Sequence, residues 1–393
     1  MTTKPESLPG MTEYISRMLT KTFVTNEIQK PVILIGSSPI DMKTIFNNGL
    51  LQNVYILYRM FQSMGYHPVL LMSSLPDELP SYMSDLTILS IEAFLKTSIR
   101  VTVYVEIAMS VDSIVKEFLN QCGTRVYKLY LGNILNIDIE SPLCYPGMYF
   151  VHHYIGHVDD VWVSPHYAQH LQYAKSVNHV DIRNTKDSIA PYVWDPCILT
   201  NGGTRSFMWS PPEKGSEIFL IIEPNISFQK TSIVPLSIVE SWYRKQKGWK
   251  GKVVIVNGNR LDVLPYFRDS LASSFDLVKD GRIDMRGRMS IVDIMTEFPS
   301  AIPICHQWNN EYNYMVLEYF HCLFPVLHNA SDWAEYGYYY PNSDIAAGVS
   351  QLERTMEHSS RRETFISHAR TLEWRHSPYN PEVQNAWAKL LGL

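Results

Sequence analysis

Asn310, Tyr314 and Glu318 recur at four-residue spacing within HQWNNEYNYMVLEYFHCLFPVLHN (306–329), so a helix starting near Asn310 would carry them on one side. Such a start exposes unpaired backbone N–H groups and the positive end of the helix dipole, which suit a diphosphate. Further along the same face, the carboxylate of Glu318 can accept two hydrogen bonds from a ribose diol. A buried Glu paired with a basic neighbour would present the same spacing. In EPNISFQK (223–230) a single cation, Lys230, precedes a helical run. Its charge would suit an anionic group. A solvated lysine before a helix is the bland reading of that residue. His306 closes a strand, where it would approach a sugar or phosphate, although strand-end histidines are as often satisfied structural groups. His152, His153 and His157 lack a convincing third ligand and any HExxH spacing, so no metal is expected.

These residues need a scaffold that gathers strand ends. Strand-like runs alternate with helical patterns throughout, as in parallel α/β layers. In the first half, 32–35, 69–72, 87–89, 101–105, 126–131 and 161–163 are strand candidates. Val54, Leu57, Tyr58, Phe61 and Met64 fall at helical spacing after the turn Asn47-Asn48-Gly49, and Gly65 stops them. After the proline-bearing connector 209–215 the pattern restarts, with strands at 218–222, 252–256, 301–305 and 326–328 and a helix over 233–243. The predicted fold class is α/β, with two Rossmann-like doubly wound domains facing a cleft. The first covers 1–208, with a terminal helix over 381–393 packing back on it, and the second covers 216–375. Ligands of such sheets sit at the carboxyl ends of the strands.

The 393 residues suffice for two cores. Net charge is −5 with no basic block, which argues against a nucleic-acid binder. Five scattered cysteines form no CxxC pair and read as reduced thiols. The polar N-terminal stretch lacks an apolar h-region, so no signal peptide is expected, and no apolar run is long enough to span a membrane. A cytoplasmic protein is expected.

The segment 306–329 resembles the donor-binding end of GT-B glycosyltransferases. Their retaining members carry a Glu, seven intervening residues, a second Glu, and a Pro seven further on. Glu318 and Pro325 match the second Glu and the Pro, while Asn310, with Glu311 beside it, stands at the first position. Along most of the chain the sequence is similar to the uncharacterised DUF2827 family of bacterial and large-DNA-virus proteins. The matching pieces are NNGLLQNVYIL (47–57), LGNILNIDIES (131–141), VWVSPHY (161–167), PYVWDP (191–196), EPNISFQKT (223–231), HQWNNEYNY (306–314), PVLHN (325–329) and GYYYP (337–341).

The resemblance implies a GT-B fold and transfer of a sugar from a nucleotide-diphosphate donor, UDP or GDP type, to a glycan or related acceptor, retention being favoured. It implies a donor site of Asn225 and Lys230 (at the Arg and Lys positions of the loop), Arg286, Asn310, Glu311, Tyr314 and Glu318. Gly49 would face that site across the cleft, with GYYYP as a wall. His306 is a candidate at the reaction centre. Inversion would need a general base, for which Glu106 comes first and Asp41 second. No cofactor beyond the donor is implied, location is the cytoplasm (the host's for a viral member), and a homo-oligomer is left open. A nucleotide-sugar 2-epimerase and a degenerate, non-catalytic binding subunit are the alternatives.

Overall fold

The computed structural model describes residues 30–40, 45–46, 49–97, 99–144, 155–183, 185, 187–246 and 248–393. The chain divides into two compact units, one running to Asp195 and resuming over His376–Leu393, the other Pro196–Arg375. Residues 196–208 therefore group with the second unit. The connector beyond them is anchored there: the Trp209 indole N–H donates to the Ala301 carbonyl at 3.0 Å and its backbone N–H to that of Cys322 at 2.9 Å.

The first unit is built on a parallel sheet in the order β3-β2-β1-β4-β5-β6. Its strands are β1 (Val32–Ser37), β2 (His67–Met72), β3 (Ile88–Ser90), β4 (Val103–Glu106), β5 (Arg125–Tyr130) and β6 (Asp160–Val163). The central strands are buried along nearly their whole length, because helices cover both faces of a parallel sheet. That burial explains why they read as unbroken apolar runs. In the helix Gly49–Ser63, Val54, Leu57, Tyr58 and Phe61 are all buried. Gly65, at φ 86°, ends its chain direction as expected of a left-handed cap. Gly36 of β1 has another role: a Cβ there would lie 2.6 Å from the Tyr104 hydroxyl and 2.7 Å from the Met109 carbonyl oxygen. Only glycine lets the loop after β4 come so close. The terminal helix Pro381–Leu391 belongs to this unit, with the Trp387 ring edge-on to Phe61 and Trp162.

The second unit repeats the plan, in the order β12-β11-β10-β7-β8-β9. Its strands are β7 (Ile218–Ile221), β8 (Lys252–Ile255), β9 (Ile283–Met285), β10 (Ile302–Ile304), β11 (Leu327–His328) and β12 (Tyr338–Tyr339). The helix Ile233–Tyr243 has the bounds its pattern predicts. The strands expected from sequence do not include β9, whose IDM has a charged centre, or β12, a pair of tyrosines. Tyr338 and Tyr340 of GYYYP are fully buried in this unit's core, so those rings serve packing.

Candidate functional site

In the second unit the chain lays down β7, β8 and β9 in one direction, then returns to place β10 on the other side of β7. The loops leaving the carboxyl ends of β7 and β10 therefore flank the switch point, where sheets of this kind take their ligands. Both loops are tied by one side chain that sequence reading missed. Glu223, fully buried just past β7, accepts the His306 backbone N–H at 3.0 Å and the Gln307 side-chain amide at 2.6 Å. Gln307 in turn accepts from the Asn310 amide at 2.8 Å, and it exchanges two hydrogen bonds with Asn329 at 2.9 and 2.7 Å. The Trp308 N–H donates to the Gln229 carbonyl at 2.8 Å, closing the two loops against each other. Burial raises the Glu223 carboxyl to about 7, with Lys230 pulling the other way. An acid directly after a strand followed by Pro and Asn was the available signal.

Lys230 is half-buried at the end of the first loop. Burial lowers its pKa, opposed by the charge of Glu223. Asn225 sits in the left-handed region at φ 53°. Its amide donates to the carbonyls of Glu223 and Asn257 and accepts the Ser232 N–H at 2.8 Å. All of these partners are backbone groups, so Asn225 shapes the loop and leaves Lys230 as its cation.

The helix after β10 spans Tyr314–His321, capped by Asn313, whose side chain accepts the Met315 N–H at 3.1 Å. Asn310 thus precedes the helix, correcting the expectation that the helix starts there. Tyr314 and Glu318 keep their four-residue spacing and are both buried. Five glutamates are buried among the described residues: Glu106, Glu217, Glu223, Glu240 and Glu318. The first four accept hydrogen bonds, for example from the Trp249 indole to Glu217 and from two backbone N–H groups to Glu240. The carboxylate of Glu318, 2% exposed, has no hydrogen-bond or ion-pair partner among the described residues. Burial alone pushes it up to about 8.

Other candidates are already engaged. His306 is buried with Nδ1 3.0 Å from the Tyr340 hydroxyl and Nε2 3.4 Å from Ser343 Oγ. Tyr340 gives its own proton to the Cys305 carbonyl, so His306 Nδ1 carries the hydrogen. Burial lowers this histidine to about 4. Glu311 accepts from Ser331 Oγ at 3.0 Å, and burial raises its pKa. Arg286, past β9, is paired with Asp284 at 2.8 Å and Glu297 at 3.2 Å.

In the first unit, Glu106 ends β4 beside Gly36, at that sheet's own switch point. It accepts from Ser110 Oγ at 2.9 Å and the Val111 N–H at 3.2 Å, and it faces Lys116 and Lys128 at 3.4 and 3.6 Å. Both lysines are buried, which makes Glu106 their shared counter-ion and not a free base. Gly49 opens its helix and accepts from the Asn53 amide at 3.0 Å. Asp41, Asn47, Asn48, His152 and His153 lie outside the described residues. Among those described, no three His, Cys, Asp or Glu side chains gather to hold a metal, and no helix is long and apolar enough to cross a membrane.

Two six-stranded parallel sheets with the same Rossmann order, joined in one chain, define the GT-B fold. The chain belongs to the family described as "Protein of unknown function (DUF2827)", whose profile matches residues 37–391. No curated protein sequence matches it. Among solved structures it is similar to α,α-trehalose 6-phosphate synthase from Burkholderia multivorans, at TM-score 0.55 and 10% identity, covering 93% of this chain and 98% of that one. An α-glucosyltransferase in complex with UDP and DNA also gives TM-score 0.55 at 10% identity, over 93% of this chain and all of the other. Anabaena HepE bound to UDP and glucose gives 0.53 at 9%, with 93% and 100% covered.

Proposed function

We propose that the protein is a glycosyltransferase that moves a sugar from a UDP- or GDP-type donor to a glycan or related acceptor. The observation that carries this reading is Glu318: a buried carboxyl with no hydrogen-bond or ion-pair partner among the described residues, on the helix that follows β10 at the switch point. A ribose diol would supply two hydrogen bonds to it. The diphosphate would then lie toward the helix start and Lys230, whose charge stabilises the leaving group as the glycosidic bond breaks. Similarity in fold to structures that hold UDP supports the same placement. Retention fits better than inversion, because it needs no enzyme base and Glu106 is held by two lysines.

The test is calorimetry with UDP, GDP and their glucose and mannose conjugates, on the parent protein and on Lys230→Ala and Glu318→Gln. Binding of a nucleoside diphosphate that weakens at least tenfold in both variants is expected. Parental affinity in both would refute the placement. NMR of the reaction with a sugar nucleotide alone separates transfer from epimerisation, which would release a free epimerised sugar without any acceptor.

A further inference from the structure

The two loops that Glu223 ties together also carry large apolar side chains facing water. Phe228 is 51% exposed and Trp308 is 48% exposed, with Ile226 at 48% on the same loop as Phe228. Neither loop is slack. Besides the Trp308–Gln229 hydrogen bond, the Asn225 N–H donates to the Lys230 carbonyl and the Lys230 N–H to that of Ser227, so Phe228 rides on a closed turn. Two half-exposed aromatic rings are thus held on hydrogen-bonded backbone beside the switch point.

Their place along the site indicates what they meet. On the nucleotide reading, Glu318 marks the ribose, and the diphosphate lies toward the helix start and Lys230. Phe228 precedes Lys230 by two residues, and the Trp308 N–H is bonded to Gln229 between them, so both are anchored beside Lys230, the cation this reading assigns to the diphosphate. That is the end where the transferred sugar and its acceptor must meet. The apolar C–H face of a pyranose packs on a flat aromatic ring, whereas a nucleobase would have to lie beyond Glu318.

We propose that Phe228 and Trp308 form an aromatic platform that stacks a pyranose ring at the transfer end of the site and sets saccharide specificity. This inference rests on the nucleotide reading above. The ring arrives either on the donor or as the acceptor, and two measurements separate these sources. The first is the affinity of UDP-glucose and GDP-mannose relative to UDP and GDP. The second is binding of methyl glucoside and methyl mannoside at saturating nucleotide, followed by saturation-transfer NMR. Phe228→Ala and Trp308→Ala should leave UDP or GDP binding within twofold of the parent. They should weaken the saccharide-dependent affinity about two- to tenfold, the range for one aromatic contact. Trp308→Phe should recover most of the loss. Parental saccharide affinity in both alanine variants, or an equal loss for the free nucleotides, overturns the platform alone. A parent protein that binds neither nucleotide overturns the nucleotide reading, and the platform with it.

Discussion

At the scale of single residues, charge without a partner separates the site from the scaffold. An unpaired buried carboxyl is costly and responds by staying protonated. Glu318, raised to about 8 and without a partner among the described residues, is in that condition, while Glu106, Glu217, Glu223 and Glu240 are all hydrogen-bonded. Two consequences follow for Glu318→Gln. Nucleoside diphosphate affinity should fall about tenfold or more, the worth of losing at least one hydrogen bond. Stability of the free protein should rise at alkaline pH. The sign follows from proton counting: the folded state keeps a proton that the unfolded chain loses near 4.5, so stability falls as pH rises from there to about 8. The slope reaches about 1.4 kcal/mol per pH unit at most. Urea midpoints at pH 5.5 and 8 should therefore diverge less in Glu318→Gln than in the parent; an unchanged difference would show that Glu318 does not titrate in this window.

At the scale of elements, the two loops at the switch point are joined by a few side chains. Glu223→Ala leaves the His306 N–H and the Gln307 amide without their acceptor inside the unit. A loss of about 2–4 kcal/mol is expected from urea unfolding. Hydrogen exchange should also quicken at His306 and Trp308; protection unchanged at both would mean that the loops stand without Glu223. How much of this was legible in the sequence depended on the kind of signal. The strands announced themselves because parallel sheets bury both faces, and Lys230 and Glu318 stood out as single charges in apolar or uncharged surroundings. The helix start did not, since Asn309, Asn310 and Asn313 are all competent caps and only the observed geometry selects Asn313. The Glu223–Gln307–Asn310 relay spans more than 80 residues of sequence and left no local pattern. Nor did the commitment of Glu106, whose lysines come from a separate helix and strand. Glu106→Ala should cost about 3–5 kcal/mol by removing the carboxylate that neutralises two buried ammonium groups. A folded, stable variant that has lost only turnover would instead restore Glu106 as a base.

At the scale of the whole chain, the C-terminus completes a unit begun more than 300 residues earlier. The helix Pro381–Leu391 is fixed at both ends, by the Asn380 side chain accepting the Glu382 N–H at 3.0 Å and by Gly392 in the left-handed region at φ 63°. Its central contact is Trp387, 1% exposed, with its ring centroid 5.6 Å from that of Phe61 and 6.0 Å from that of Trp162, both edge-on, and its indole N–H on the Pro191 carbonyl. The Gln384 amide on Ser63 Oγ and Lys389 on Asp187 are exposed and add little. The apolar spacing Val383, Trp387, Leu391 is what made this helix readable from sequence, since those three form its buried face. Trp387→Ala opens a cavity between Phe61 of a helix and Trp162 of β6, at an expected cost of about 3–5 kcal/mol. The first unit should then unfold at lower urea concentration, while nucleoside diphosphate affinity, assigned to the second unit, stays within twofold wherever the protein remains folded. A cost under about 1 kcal/mol would show that the terminal helix is dispensable to the first unit. A matching collapse of nucleotide affinity in the folded variant would show that the first unit contributes directly to the nucleotide site.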